Sequence, residues 1–493
     1  MTRYSGYAFA VALLLSPILA SCASTSHSPQ MAQAVAAPAA ERASTTAERT
    51  LAALADHLAQ RDQFSGVILV ADRNGTMLEK AYGLADREAK IPVAKDTQFA
   101  LASIGKLFTT TALLQLVEQG KIGLDEPIIR YLPDYPNKEA ASKITVRHLL
   151  THSSGFGNID IFGPEHKERR LTLSTPAQFI AYQGDRAPEF APGEKISYSN
   201  YGFLVLGRII EKVSGEEYEA YLAKHIFAPA GMMHTGFPLF DQRGDLIAVG
   251  YTGENYQEAT AAGATLVPNG YTLPKKGSAA GGAYASAPDM LKFLDALEGG
   301  KLIKPETLAM ALTPQKGPFG LGIMVIGEGA HRQWGHQGGA WGMNTDVRVL
   351  ADGTRVIVLA NRDGPVANKL ASTYSYFIAD PEGKTPLLLR GSMNDWGDQM
   401  PLTKQADGRY VIEGPIPKGD YEFKLASADW ATVDLGAAPD SAGNLPKLSP
   451  GGTLPLEFGG GNIKLSLPTD GTYRLTLTGL AQGEPVVKVE TVE

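Results

Sequence analysis

Phe99-Ala-Leu-Ala-Ser103-Ile-Gly-Lys106 runs straight into an apolar helical stretch, Leu107 to Val117. Residues three apart share a helix face, so the Ser103 hydroxyl and the Lys106 amine can meet there. A serine hydroxyl is a poor nucleophile until a base accepts its proton. A lysine accepts it only when neutral, and holding it so near pH 7 against a reference pKa of about 10.4 costs roughly 4–5 kcal/mol. Burial and neighbouring positive charge can supply that. A nucleophile at a helix start also faces backbone N–H groups able to hold an oxyanion.

Ser-x-x-Lys alone is common in a chain of 493 residues, and two later stretches give it weight. Pro192-Gly-Glu-Lys-Ile-Ser-Tyr198-Ser-Asn200-Tyr-Gly enters a second apolar helix, Phe203 to Val213. A phenol beside a lysine can share its proton traffic and donate to a leaving group. Asn200 can bond a substrate carbonyl or the lysine. Trp334-Gly-His336-Gln-Gly338-Gly339-Ala-Trp341 lies between strand-like runs. Its glycines let a substrate lie against the backbone, where an exposed N–H can complete an oxyanion hole.

These three elements, in this order, resemble the serine β-lactamase and penicillin-binding protein superfamily, in its class C-like branch of β-lactamases, DD-peptidases, D-aminopeptidases and carboxylesterases. The resemblance spans residues 50 to 380. Further stretches carry it: Ile144-Thr-Val-Arg-His-Leu-Leu-Thr-His-Ser-Ser-Gly155, Ala228-Pro-Ala-Gly-Met-Met233 and Ala280-Gly-Gly-Ala-Tyr-Ala-Ser-Ala-Pro-Asp-Met290. It implies an acyl-enzyme on Ser103, with Lys106 and Tyr198 as the general acid–base pair and Asn200 positioning substrate. It places His336 where β-lactamases carry the lysine of Lys-Thr-Gly, Gly338 with Gly339 in the substrate-binding and oxyanion stretch, and the oxyanion hole at the N–H groups of Ser103 and Gly339.

A lysine at the third motif would offer a carboxylate a fixed charge; a histidine does so only below its pKa, near 6.5 when unperturbed. With Trp334 and Trp341 alongside, the motif points to an ester, or an amide of a small or D-amino-acid peptide, as substrate. A β-lactamase or DD-peptidase proper is the alternative, and an inactive envelope or glycan-binding protein a third. Two decoys fit the same patterns, Tyr135-Pro-Asn137 and His234-Thr-Gly236, without the right neighbours. His148 and His152 read as loop and core residues, since no Gly-x-Ser-x-Gly elbow accompanies them.

Outward from the catalytic stretches, Thr45-x-x-Glu48 is a capping box ahead of Leu51, Leu54 and Leu58. Val67 to Val70 and Met77 to Tyr82 form a hairpin around Asp72-Arg-Asn-Gly75, where Asn-Gly favours positive φ. Strand-like runs return at Gly320–Val325, Asp346–Leu350 and Val356–Ala360, followed by a helix over Ala367–Ile378. The class is therefore α+β: an antiparallel sheet made from both ends of the domain, flanked by helices, with a helical region inserted (45–383).

Beyond 384 the texture is all β, with short strands separated by Gly, Pro and Asp: a small sandwich over 384–493. Leu388-Leu-Arg-Gly-Ser-Met-Asn-Asp-Trp396 and Gly419-Asp-Tyr-Glu-Phe-Lys-Leu-Ala-Ser-Ala-Asp-Trp430 resemble starch- and glycogen-binding modules. That implies polysaccharide stacking on Trp396 and Trp430, with Asn394 and Lys424 as hydrogen-bonding companions; the plain reading is a spacer whose tryptophans pack internally.

The first 22 residues read as an export signal: Arg3, an apolar stretch from Tyr7 to Leu15, then Leu19-Ala-Ser-Cys22. Small residues before the chain's single cysteine resemble a lipobox, which would make Cys22 a lipid anchor in the cell envelope, on the outer-membrane side. An ordinary signal with an incidental cysteine is the alternative. Residues 23–44 read as a flexible tether. A net charge of −7 without a basic stripe or phosphate-cradling loop excludes a nucleic-acid partner. No metal-ligand cluster is present in the sequence pattern, and no cofactor is expected.

Overall fold

The computed structural model describes residues 45–159, 167–239, 244, 246–253, 265–380, 384–428, 430, 433–437, 445–458, 460–480 and 484–492. The signal, Cys22 and the tether lie outside the described residues.

The chain enters the fold where the capping box places it. Thr45 accepts from the Glu48 N–H and Glu48 reaches back to the Thr45 N–H, opening the helix Thr46–Gln60. A six-stranded antiparallel sheet follows. Its order is Met324–Ile326, Gln333–Ala340, Met343–Leu350, Arg355–Ala360, Gly66–Asp72, Gly75–Tyr82. Four strands come from the end of the domain and two from its beginning, joined where Gly66–Asp72 pairs with Arg355–Ala360.

Period-two alternation sends each strand to two cores. Val67, Leu69, Val347, Val349, Ile357 and Leu359 face the inserted helical region. Ile68, Val70, Val356 and Val358 face the first helix and the helix Val366–Ala379. A central strand covered on both sides explains why Gly66–Asp72 reads as a continuous apolar run rather than an alternating one.

Two local expectations are corrected. In the hairpin, Asn74 does not adopt positive φ; Gly75 does, at +131°. The Asp72 carboxylate accepts from the Asn74 N–H at 2.7 Å, so an Asx turn makes the corner. Of the run Gly320–Val325, only its end joins the strand Met324–Ile326. Gly322 at φ +71° turns the chain before it.

The C-terminal part is all β. Two sheets, antiparallel except where Lys447–Leu448 pairs in parallel with Ile463–Leu467, share the strand Thr453–Phe458, which pairs with Val486–Val492 through its first half and with Asp434–Ala437 through its second. Tyr376, in the last turn of the helix Val366–Ala379, belongs to the core of this β region.

Candidate active site

Ser103 sits in a 3₁₀ turn, Ala102–Gly105, and Lys106 is the first residue of the α-helix Lys106–Glu118. The 3₁₀ turn eclipses residues three apart more closely than an α-helix would. Lys106 is completely buried. Its Nζ lies 3.2 Å from Ser103 Oγ, 2.7 Å from Asn200 Oδ1 and 2.5 Å from the Ala280 carbonyl oxygen. The last two only accept, so each takes one N–H; the serine hydroxyl can donate. A neutral amine has two N–H groups and one lone pair, which matches these partners with the lone pair facing Ser103. Burial alone holds the amine well below the ordinary lysine range. The neighbouring positive charge expected from the sequence takes no part.

Asn200 thus bonds the lysine. It opens the helix Asn200–Ser214, capped by the Ser199 hydroxyl. The Tyr198 hydroxyl is out of solvent and holds no hydrogen bond. Burial pushes its phenol up to about 12, partly offset by the nearby Ser103 hydroxyl. At neutral pH it keeps its proton, so its available step is donation.

His336 lies in the strand Gln333–Ala340, next to the nucleophile turn. Its Nδ1 is 2.6 Å from the Gln337 carbonyl oxygen, which can only accept. The ring proton is therefore on Nδ1, and Nε2 carries a lone pair, buried without a partner. Burial, then the charge of Lys106, pull this imidazole down to about 3. His336 thus faces the site as a neutral acceptor rather than as a fixed positive charge. Gly338 lets its strand press on the nucleophile turn, since a Cβ there would stand 2.3 Å from the Leu101 oxygen. Trp334 is buried in the core.

Two cavities flank the serine. One, of about 150 Å³, is lined chiefly by apolar side chains including Ile159, Phe179, Leu204, Leu273 and Met343. The other, of about 450 Å³, is lined by Tyr198, His336, Gln337, Asn344 and Asn368, with no charged side chain among its described lining residues. Ser103 and Gly339 border both. Tyr198 lines the second cavity and not the first.

Sequence reading passed over two participants. The Ala280 carbonyl is backbone and carries no side-chain signal; the only hint is Gly281-Gly282. Gly281, at φ +142°, approaches so closely that a Cβ would lie 2.3 Å from the Ala102 oxygen. His152 is a core residue as expected, and its ring stacks on Tyr198 at 4.3 Å. The decoys stay apart: Tyr135 bonds Tyr201 in the core, and the Asn137 side chain caps a helix.

In the β region, the half-buried Trp396 and Trp430 rings lie 6.0 Å apart, with Arg390 4.0 Å above Trp430. Their expected companions are engaged elsewhere. Asn394 closes its own turn with Gly391 and Leu389, and Lys424 pairs with Asp434 at 2.8 Å.

Residues 51–379 match the family model described as Beta-lactamase. PbpX of Bacillus subtilis is 35% identical over 264 residues, 53% of this chain and 62% of PbpX. Esterase EstB of Burkholderia gladioli is 31% identical over 309 residues, 58% of this chain and 77% of EstB. The D-amino acid amidase of Ochrobactrum anthropi superposes with a TM-score of 0.54 at 26% identity, over 64% of this chain and 92% of the amidase. The chain spans about six tenths of the length of PbpX. The family match covers well over half of the sequence, and the chain belongs to the β-lactamase family of serine hydrolases.

Proposed function

We propose that the protein hydrolyses neutral esters or small amides, including those of D-amino acids, through an acyl-enzyme on Ser103. Lys106 takes the Ser103 proton as Oγ bonds the acyl carbon. Tyr198 protonates the departing oxygen or nitrogen as its bond to that carbon breaks, and recovers a proton from Lys106. Water then releases the acid and restores the serine. The N–H groups of Ser103 and Gly339 hold the oxyanion. The observation that carries this reading is the partner set of Lys106, two acceptors and one hydroxyl. Tyr198-Ser-Asn200 supports the class C-like branch.

A β-lactamase or DD-peptidase proper is disfavoured by the second cavity. A substrate carboxylate there meets the neutral His336 and no cation among the described lining residues. EstB, an esterase, and the D-amino acid amidase agree with the preferred reading. Intact mass after incubation with a fluorophosphonate tests it. An adduct on the wild type that is absent from Ser103→Ala supports the assignment; labelling of both proteins, or of neither, refutes it.

A second reading concerns the β region, as a polysaccharide-binding module in an exported, Cys22-anchored protein. The paired tryptophan rings favour it, since apolar sugar faces stack on exposed indole. Trp396→Ala and Trp430→Ala should lose retardation in a starch affinity gel; unchanged migration removes this reading and leaves a spacer.

A further inference from the structure

The His152 N–H donates to the Leu149 carbonyl oxygen at 3.3 Å, and the two bonds that His152 accepts both come from one short segment. Its carbonyl oxygen accepts from the Ser197 N–H at 2.9 Å. Its ring Nδ1 accepts from the Ser199 N–H at 3.2 Å. Between those two anchors its ring stacks on Tyr198, centroids 4.3 Å apart and planes 32° from parallel. Phe319, edge-on at 4.7 Å, and Phe203, at 5.3 Å, make the ring's other aromatic contacts.

The backbone shows that this grip is built. His152 is at φ +53°, in the left-handed region that a residue with a Cβ enters only at some cost. It is 1% exposed. Because Nδ1 accepts, the ring proton sits on Nε2, where it is buried without a partner. Burial holds the imidazole down to about 2, so it stays a neutral acceptor throughout the working range of pH.

What hangs from the gripped segment is the proton machinery. Tyr198 is its middle residue. Ser199 caps the helix whose first residue, Asn200, accepts from Lys106. We infer that His152 is a positioning residue for proton donation: by holding Ser197 and Ser199 and stacking on Tyr198, it aims the phenol at the leaving group. The inference rests on Ser103, Lys106 and Tyr198 working as proposed above.

A misaimed acid harms poor leaving groups more than good ones. The test therefore compares p-nitrophenyl butyrate, whose phenolate departs unaided, with ethyl butyrate, whose alkoxide needs a proton. In the full chain, His152→Phe keeps a ring but removes the acceptor. It should lower kcat on ethyl butyrate about tenfold or more, with KM nearly unchanged and a much smaller effect on the p-nitrophenyl ester. His152→Asn places an acceptor at the same distance from the backbone and tolerates left-handed φ, so it should recover most of the loss. Equal losses on both substrates, or Asn performing no better than Phe, would overturn the inference. Should His152→Phe not fold, His152→Gln displaces the acceptor by one bond and must give the same leaving-group signature. A fluorophosphonate adduct on the wild type reports the parent reading separately.

Discussion

Lys106 Nζ donates to Asn200 Oδ1 across 2.7 Å, joining the first residues of two helices that lie 94 positions apart in the chain. The bond decides how the lysine works. Asn200 and the Ala280 carbonyl occupy two of the amine's sites with acceptors, which leaves the serine hydroxyl to face the third. In the mechanism proposed above, burial and the choice of partners prepare the base without a neighbouring cation.

A buried amine held below its ordinary range destabilises the fold. The unfolded lysine binds a proton below about 10.4, while the folded one releases it at lower pH. Between those two values the unfolded state holds the extra proton, so stability falls as pH falls through the window. Lys106→Met should therefore raise Tm near neutral pH while abolishing fluorophosphonate labelling, and its advantage over the wild type should shrink as pH approaches 10. Thermal melts across that range check it; an equal or lower Tm at pH 7 would contradict the burial argument.

His336 should not shape the pH profile near 6.5, because its imidazole titrates at about 3. The rate of fluorophosphonate labelling should show no histidine inflection between pH 5 and 8 that disappears in His336→Gln. His336→Lys should introduce the charge that the second cavity lacks. It is expected to raise the acylation rate by a carboxylate-bearing β-lactam, read as an intact-mass adduct of benzylpenicillin, relative to the wild type.

How far the sequence speaks depends on the distance over which each feature is encoded. The capping box at Thr45 and the Ser103–Lys106 spacing are local, and both stand in the structure as read. The sheet built from both ends was legible too, because Val67–Val70 and Val356–Ala360 are apolar runs with matching needs. His152 was not, since its meaning depends on Ser197–Ser199, about 45 positions away, and a lone histidine carries no mark of what it grips. Nor was the Ala280 carbonyl, which any residue would supply. The sequence distinguishes His336 from a fixed lysine charge, but the depth of its pKa shift depends on burial, which a motif does not show.

Gly338 offers a test of close packing at the site. A Cβ there would stand 2.2 Å from Thr345 Oγ1 and 2.3 Å from the Leu101 oxygen, so the strand would have to move off the nucleophile turn. Gly338→Ala should lose labelling at Ser103 by about a hundredfold, as small displacements of reacting groups do. Gly414→Ala, with nothing within 4 Å of the added methyl, should label like the wild type. Equal rates in the two variants would mean that strand and turn are not in register with the chemistry.

Tyr376 ties the β region to the hydrolase fold. It lies on the helix Val366–Ala379, whose inner face packs on the sheet, yet its own ring is 3% exposed within the core of the β region. Lys369 on the same helix pairs with Glu457 at 3.2 Å. One helix therefore serves two cores, and neither should melt without disturbing the other. Tyr376→Ala should cost about 3 kcal/mol or more, as aromatic truncations in cores do. Tyr376→Phe, which keeps the ring, should cost about 1 kcal/mol. Urea unfolding of the full chain, followed by tryptophan fluorescence and by fluorophosphonate labelling, should give coincident midpoints in the wild type. In Tyr376→Ala both midpoints should fall together. A labelling midpoint that stays put while the fluorescence midpoint drops would show that the two cores unfold independently and that the shared helix does not couple them.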